Sequence, residues 1–146
     1  MSKFILLSLF ILTACMEDNK TPEAALKSMV ESRMGKIVSR EDILQQVTSP
    51  MKESIENMTE EDFLKFSDLK NVERSSFKVL SKSCQEKKCF VTYSLAYTTK
   101  TEGTAKFTSE VKKIAEILNV DGKWLISDVS NIKTYHESLE PINPLE

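Results

Sequence analysis

The sequence predicts an α+β fold in which three to four short N-terminal helices pack on a curved antiparallel four-stranded meander sheet. In the first half of the chain, apolar residues recur at helical spacing in short runs, each after a helix start signal. After Asn71 the pattern changes to alternation between the two faces of a strand, interrupted by turn signals. Such a sheet can place one face on the helices and the other in water.

The helices are predicted from their start signals. Thr21-Pro22-Glu23 combines an N-cap residue, a proline at the first helical position and an acid in the first turn. Ser39 opens a segment that resembles a capping box, and Ser49-Pro50 and Thr59 open two further short helices. The apolar residues behind these start signals are Leu26, Met29, Val30, Met34, Ile37, Ile43, Leu44, Val47, Met51, Ile55, Met58, Phe63, Leu64 and Phe66, of which Met51, Ile55 and Met58 are expected to point inward.

The first two strands are predicted on either side of a polar loop. Residues 72–84 tend toward alternation, with Phe77 and Val79 on one side. The next strand alternates strictly, and one of its faces carries the larger residues. That face consists of Cys89, Val91, Tyr93, Leu95 and Tyr97.

The third strand pattern covers residues 105–120 and changes phase along its length. Phe107 and Val111 fall on one phase, whereas Ile114 and Leu118 fall on the other. A change of phase inside a strand predicts a β-bulge there.

The last strand follows Asp121-Gly122, a strong hairpin signal, and covers residues 124–129, with a possible continuation from Ile132 to Tyr135. Residues 136–146 contain two prolines and are predicted to form an extended C-terminal tail.

The N-terminus has the layout of a secretory signal peptide: Lys3, a short apolar run over residues 4–12, then small residues. The run is too short for a membrane-spanning helix, which needs about 20 apolar residues. Leu12-Thr13-Ala14-Cys15 resembles the bacterial lipobox. The resemblance implies that a signal peptidase cuts before Cys15, that its thiol carries diacylglycerol, and that the new amine is acylated.

Four segments follow from these patterns. Residues 1–14 are the signal peptide, 15–20 the lipidated cysteine and a tether, 21–135 a cone-like α+β domain, and 136–146 the tail. Met16 follows the cysteine, at the position where the best-known inner-membrane retention signal has Asp. The resemblance to lipobox proteins therefore implies an outer-membrane location facing the periplasm. The N-terminal lipid anchor makes the membrane the first expected partner.

Cys84 and Cys89 form an even pair in a chain predicted to enter an oxidising compartment. They flank a polar, turn-like loop, where opposed strand residues can meet disulfide geometry. A metal site is a poor alternative because the chain has one histidine, His136. A redox pair usually reads Cys-x-x-Cys at a helix start, which this spacing does not match. A structural disulfide is therefore expected, with no metal and no cofactor.

The order of helices and strands, over about residues 21–135, is similar to that of the nuclear transport factor 2-like, or cystatin-like, superfamily. The resemblance is strongest in the last hairpin, where an apolar strand from Ile117 leads into Asp121-Gly122, Lys123-Trp124 and a strand that ends Ser127-Asp128-Val129. Many small bacterial members are exported lipoproteins of unknown function. Enzymes of the superfamily place acids, histidine and tyrosine inside the cone, so the resemblance makes Tyr93, Tyr97 and Asp128 the catalytic candidates.

Those candidates also have a structural interpretation. Tyr93 and Tyr97 share a face with apolar residues, Asp128 lies near a strand end, and no histidine is available within the predicted domain. We therefore expect a binding or interaction module without catalytic activity, whose partner is an unknown protein or a small apolar ligand. The ligand-binding candidates are Tyr93, Leu95, Tyr97 and Phe107.

Two other functions stay open at this point. One is an accessory lipoprotein of an outer-membrane assembly, and the other is a small-molecule isomerase or hydrolase of the cone superfamily. A nucleic-acid partner is not expected, because the formal net charge is −2 and the sequence has no strong basic stripe.

Overall fold

The structure, a computed structural model, describes residues 20–139. Four helices precede four strands, and the strands form one antiparallel sheet in the order β1-β2-β3-β4. Within the described part of the chain, no helix is long and apolar enough to cross a membrane. The elements are α1 (Pro22–Arg33), α2 (Arg40–Leu44), α3 (Met51–Glu56), α4 (Glu60–Ser67), β1 (Val72–Gln85), β2 (Lys88–Thr101), β3 (Thr104–Val120) and β4 (Lys123–Ser138).

Three helices begin at the residues that the sequence predicts. The side-chain oxygens of Thr21, Ser39 and Thr59 each accept a hydrogen bond, 3.1 Å long, from the amide three residues further on. Each such cap is worth about 1 kcal/mol. The chain leaves α1 through Gly35, which has a φ of +74° that favours glycine. Local chemistry therefore decides where these helices begin.

The core lies between the helices and one face of the sheet. In β2 every second residue from Cys89 to Leu95 is buried, so the predicted large-residue face is the inward face. Its cross-strand neighbours on β3 are buried too: Ala115 lies opposite Val91, and Val111 opposite Leu95. The helices contribute the apolar side chains Ala25, Leu26, Met29, Val30, Ile43, Ile55 and Phe63 to this core.

The predicted bulge between Val111 and Ile114 is assigned to the wrong strand. A register shift does fall there, at Lys112 and Lys113, but it lies in the ladder with β4, which carries the extra residue. The buried residues of β3 all fall on one phase, and the ladder with β2 runs without a shift through this region. The shifts lie in the ladder between β3 and β4, where β4 has an extra residue at Ser127 and another at Ile132. The sequence suggested a change of phase because Ile114, although apolar, lies on the opposite face, where it is partly buried.

The predicted fold class also needs correction. The prediction was three to four short N-terminal helices packed on a curved antiparallel four-stranded meander sheet. The structure is a four-stranded antiparallel sheet with only short helices, which leave part of that sheet uncovered, and it is roughly consistent with an α+β fold. The longest helix, α1, has 12 residues and spans about 18 Å. The strands have 14 to 17 residues and run for about 50 Å. The helices are therefore too short to form a second layer across the whole sheet.

The end of the predicted domain is also different. The sequence starts a tail at His136, but β4 continues to Ser138 and pairs with β3 as far as Phe107. The strand is exposed from Ser130 onward, so no apolar alternation marks its continuation. The rest of the predicted tail, residues 140–146, lies outside the described residues.

Candidate functional site

A cavity of about 470 Å³ lies between the helices and the inward face of the sheet. α1 forms one wall, Met51 and Phe66 add to it from α3 and α4, and β2 and β3 form the opposite wall. Most of the lining is apolar or aromatic. The lining residues are Leu26, Met29, Val30, Arg33, Met34, Met51, Phe66, Leu69, Val72, Tyr93, Leu95, Tyr97, Thr99, Val111, Lys113 and Val129.

Three of the four predicted ligand-binding residues line this cavity. Tyr93, Leu95 and Tyr97 lie on alternate positions of β2, so the pleat directs all three to the same face. Phe107 does not line the cavity, and its inclusion was wrong. It pairs with Thr99 on β2 and with Ser138 on β4, and it is 46% exposed.

Two cations also line the cavity, and the sequence did not predict either of them. Arg33 comes from the last turn of α1 and Lys113 from the middle of β3. Desolvation lowers the pKa of both groups, and the positive charge of Arg33 lowers the pKa of Lys113 further. The two charges are therefore close enough to repel each other.

Arg33 is only partly satisfied by the protein. Its Nη2 donates a hydrogen bond of 2.9 Å to the carbonyl of Phe66, and its guanidinium lies 4.2 Å from the centre of the Phe66 ring. Its Nε is buried without a hydrogen-bond partner. A buried donor without a partner is costly, which makes this guanidinium unusual among the charged groups of the domain.

The hydroxyl of Tyr93 is the third polar group of the site. Tyr93 is 4% exposed, and its ring packs against Phe77 with centroids 5.5 Å apart. Desolvation raises the pKa of Tyr93 to about 12, although the positive charge of Arg33 partly opposes this effect. The phenol is therefore neutral and a hydrogen-bond donor over the physiological range.

The other catalytic candidate, Asp128, does not take part in this site. Asp128 is exposed, and its cross-strand neighbour on β3 is Glu116, on the face that does not carry the cavity. Among the described residues that line the cavity there is no Asp, Glu or His. The arrangement of Tyr93 and Tyr97 with an acid, suggested by the resemblance to cone enzymes, is therefore not formed.

His136 lies in β4 and not in a separate tail. Its Nδ1 is 2.7 Å from Oγ of Ser109, directly across the ladder, and this pair forms a hydrogen bond. Ser109 is buried, whereas His136 is exposed. The alternation of β3 could have indicated that Ser109 faces inward, but nothing in the sequence marks its pairing with His136.

Cys84 and Cys89 face each other across the β1–β2 hairpin. Their Cα atoms are 4.1 Å apart and their sulfur atoms 2.04 Å apart, a disulfide distance that agrees with the predicted pairing. The pair lies away from the cavity and holds the strand that carries Tyr93. Cys15, the predicted lipidation site, lies outside the described residues. Among residues 20–139, no group of three or more His, Cys, Asp or Glu side chains is placed to hold a metal ion.

No protein-family model matches the chain, and no curated protein is similar to it. The fold is similar to the solution structure of RPA3114, a SEC-C motif containing protein from Rhodopseudomonas palustris. The TM-score is 0.56 and the identity 11%, over 78% of this chain and 80% of that chain. At this identity the likeness shows the fold alone. It supports the corrected description, a four-stranded antiparallel sheet with short helices, and not the fold class predicted from the sequence.

Proposed function

We propose that this chain is a lipid-anchored, periplasm-facing module that binds a small apolar ligand and catalyses no reaction. The observation that carries the proposal is the cavity between α1 and the sheet. Its volume of about 470 Å³ falls within the range of small-molecule sites, about 300–1,000 Å³. An apolar lining with a few convergent polar groups is typical of such sites.

Among the described residues, the cavity lining contains no carboxylate and no histidine, the commonest general bases, and this supports a binding role. Acid–base catalysis needs such a group within hydrogen-bond reach of the reacting atom. Tyr93 and Tyr97 are the sequence-predicted polar residues at the cavity, and the pKa of Tyr93 is raised, which disfavours its use as a base. Fold similarity to another protein supplies no chemistry of its own.

Ligand binding can be tested with two neighbouring threonines of β2. Thr99 lines the cavity, whereas Thr98 points to the opposite face of the sheet, and both are partly buried. The probe is decanol, and its affinity for the purified protein is measured by calorimetric titration. Thr99→Trp should weaken decanol binding at least tenfold because the indole occupies the cavity, and Thr98→Trp should bind like the wild type. Failure of the wild-type domain to bind decanol would contradict the proposal.

The anchor rests on the resemblance of residues 12–15 to the lipobox. A diacylglycerol and a further acyl chain on one residue would hold the domain firmly, since each buried CH₂ contributes about 0.8 kcal/mol. Cys15→Ser should move the protein from the membrane fraction of the cell envelope to the soluble fraction. Unchanged membrane retention of this variant would refute the anchor without affecting the cavity.

A role as an accessory lipoprotein of an outer-membrane assembly is the second candidate. It is favoured by large apolar side chains left exposed where the helices do not cover the sheet. These are Phe107, Ile132, Tyr135 and Leu139. Crosslinking in intact cells should then capture a reproducible partner, and Ile132→Asp together with Tyr135→Asp should abolish that capture. Capture unchanged by both substitutions would exclude these two side chains as the contact.

A further inference from the structure

The two cations at the cavity have no acidic partner. Within residues 20–139, neither Arg33 nor Lys113 forms an ion pair, and no acid is found among the residues that line the cavity. Other cations of the domain behave differently: Lys82 pairs with Glu23, and Arg74 pairs with Glu31 at 2.9 Å. The cavity therefore combines apolar walls with an uncompensated positive charge.

Such an arrangement is unfavourable in the empty protein. A charged group removed from water costs free energy unless it is paired or hydrogen-bonded, and two cations near one another add repulsion. The lowered pKa values of Arg33 and Lys113 express this cost. An anion placed between them would supply the missing partner and accept the free N–H donors.

We propose that the ligand of the cavity is an amphipathic anion, whose carboxylate is bound by Arg33 and Lys113 and whose apolar part packs against Leu95 and Val111. The inference rests on the proposed function, because it names the chemical class of the ligand for the same cavity. The Tyr93 hydroxyl makes no hydrogen bond to another described residue and can donate to the second carboxylate oxygen. Charge, donors and apolar surface thus match a fatty-acid-like molecule.

Lys113 provides the sharper test of the two cations. Arg33 also has a structural role, since it caps the carbonyl of Phe66 and stacks on that ring. Lys113 has no hydrogen bond or ion pair among the described residues, so a purely structural role does not account for its position at the cavity. Lys112, its neighbour on β3, is exposed and points to the opposite face, which makes it a matched control.

The experiment compares decanoate with decanol, which share a chain and differ in charge, by calorimetric titration of the wild type, Lys113→Met and Lys112→Met. We expect the wild type to bind decanoate at least tenfold more tightly than decanol. Lys113→Met should remove most of that preference, measured as the ratio of the two affinities in the same variant. Lys112→Met should bind both probes like the wild type.

The outcomes separate this inference from the proposed function. If decanol binds as tightly as decanoate, or if Lys113→Met keeps the full preference for decanoate, the proposal of an anionic ligand is overturned. The proposed binding of an apolar ligand in the cavity is not affected by either result. If the wild type binds neither probe, both proposals fail. If Lys112→Met loses the preference equally, the effect comes from general surface charge, which also overturns the inference.

Discussion

The covered half of the sheet and its free end differ although they belong to the same strands. In the covered half, residues 89–95, 111–117 and 124–129 lie beneath the helices, and inward side chains such as Val91 and Ile117 are inaccessible to water. At the free end, residues 104–108 and 130–138 continue the ladder and line no part of the cavity, and Ile132 is 51% exposed. Alternation in a strand therefore predicts which face a side chain takes, but not whether another element covers that face.

The difference also separates the two kinds of candidate site. The cavity forms where the helices stand over the sheet, so its walls come from residues far apart in the sequence, such as Arg33 and Lys113. The free end offers open backbone edges and single exposed apolar side chains, which suit contact with another surface better than enclosure of a ligand.

The largest expected contrast comes from a matched pair of isoleucines. Ile117 is 0% exposed in the covered half, and Ile132 lies at the free end. Ile117→Ala should lower the free energy of unfolding by about 2–5 kcal/mol, because it leaves a cavity in the core. Ile132→Ala should change it by no more than about 0.5 kcal/mol. Urea unfolding of both variants measures the difference, and equal effects would show that the free end is covered by an element or partner.

A second contrast concerns two tyrosines and alkaline pH. The pKa of Tyr93 is raised to about 12 in the folded state, above the ordinary value of 10. Tyr93 therefore stabilises the fold fully below about pH 10, and this contribution is lost as the pH rises to about 12. The loss amounts to about 2–3 kcal/mol. Tyr93→Phe should abolish it, whereas Tyr135→Phe, at the exposed free end, should not.

The measurement is the free energy of unfolding in urea at several pH values between 9 and 12. Lys113 contributes with the opposite sign, since its lowered pKa makes stability rise with pH until its ordinary value is reached. The comparison between Tyr93→Phe and the wild type cancels that contribution. Identical pH profiles of these two proteins would contradict the burial of the Tyr93 hydroxyl.

The two hairpins give the smallest contrast. The β1–β2 hairpin is closed by the Cys84–Cys89 pair, whereas the β2–β3 hairpin at the free end turns through Glu102 and Gly103 without a covalent link. Cys84→Ser with Cys89→Ser should lower stability by about 2 kcal/mol on the chain-entropy model. Thermal unfolding with and without reductant should show the same loss in the wild type. No effect of reductant, together with alkylation of both Cys84 and Cys89 in protein kept free of reductant, would refute the disulfide.

Features that depend on neighbouring residues were predicted better than features that depend on contacts between distant parts of the chain. The N-caps Thr21, Ser39 and Thr59 and the inward face of β2 follow from neighbouring residues, so the sequence indicated them correctly. The extent of the helical cover could not be predicted in this way, because it depends on how short helices meet long strands. The predicted fold class, Phe107 as a cavity residue and the tail boundary at His136 were wrong for that reason.

The candidate site was predicted only in part, because the sequence groups residues of one strand but not residues of different elements. Tyr93, Leu95 and Tyr97 lie on one alternating strand, and the sequence grouped them. Arg33 and Lys113 come from two different elements, and a charged residue at either position usually points to solvent. Only the packing of α1 against β3 shows that these two charges share an apolar cavity.

The most direct test of the cavity as a ligand site is an NMR titration of methyl-labelled protein with decanoate. We expect chemical-shift changes for the methyl groups of Leu95, Val111 and Val129, which line the cavity, and none for Ile132 at the free end. Shifts confined to Ile132 and Leu139, or no shifts at all, would contradict a ligand site in the covered half of the sheet.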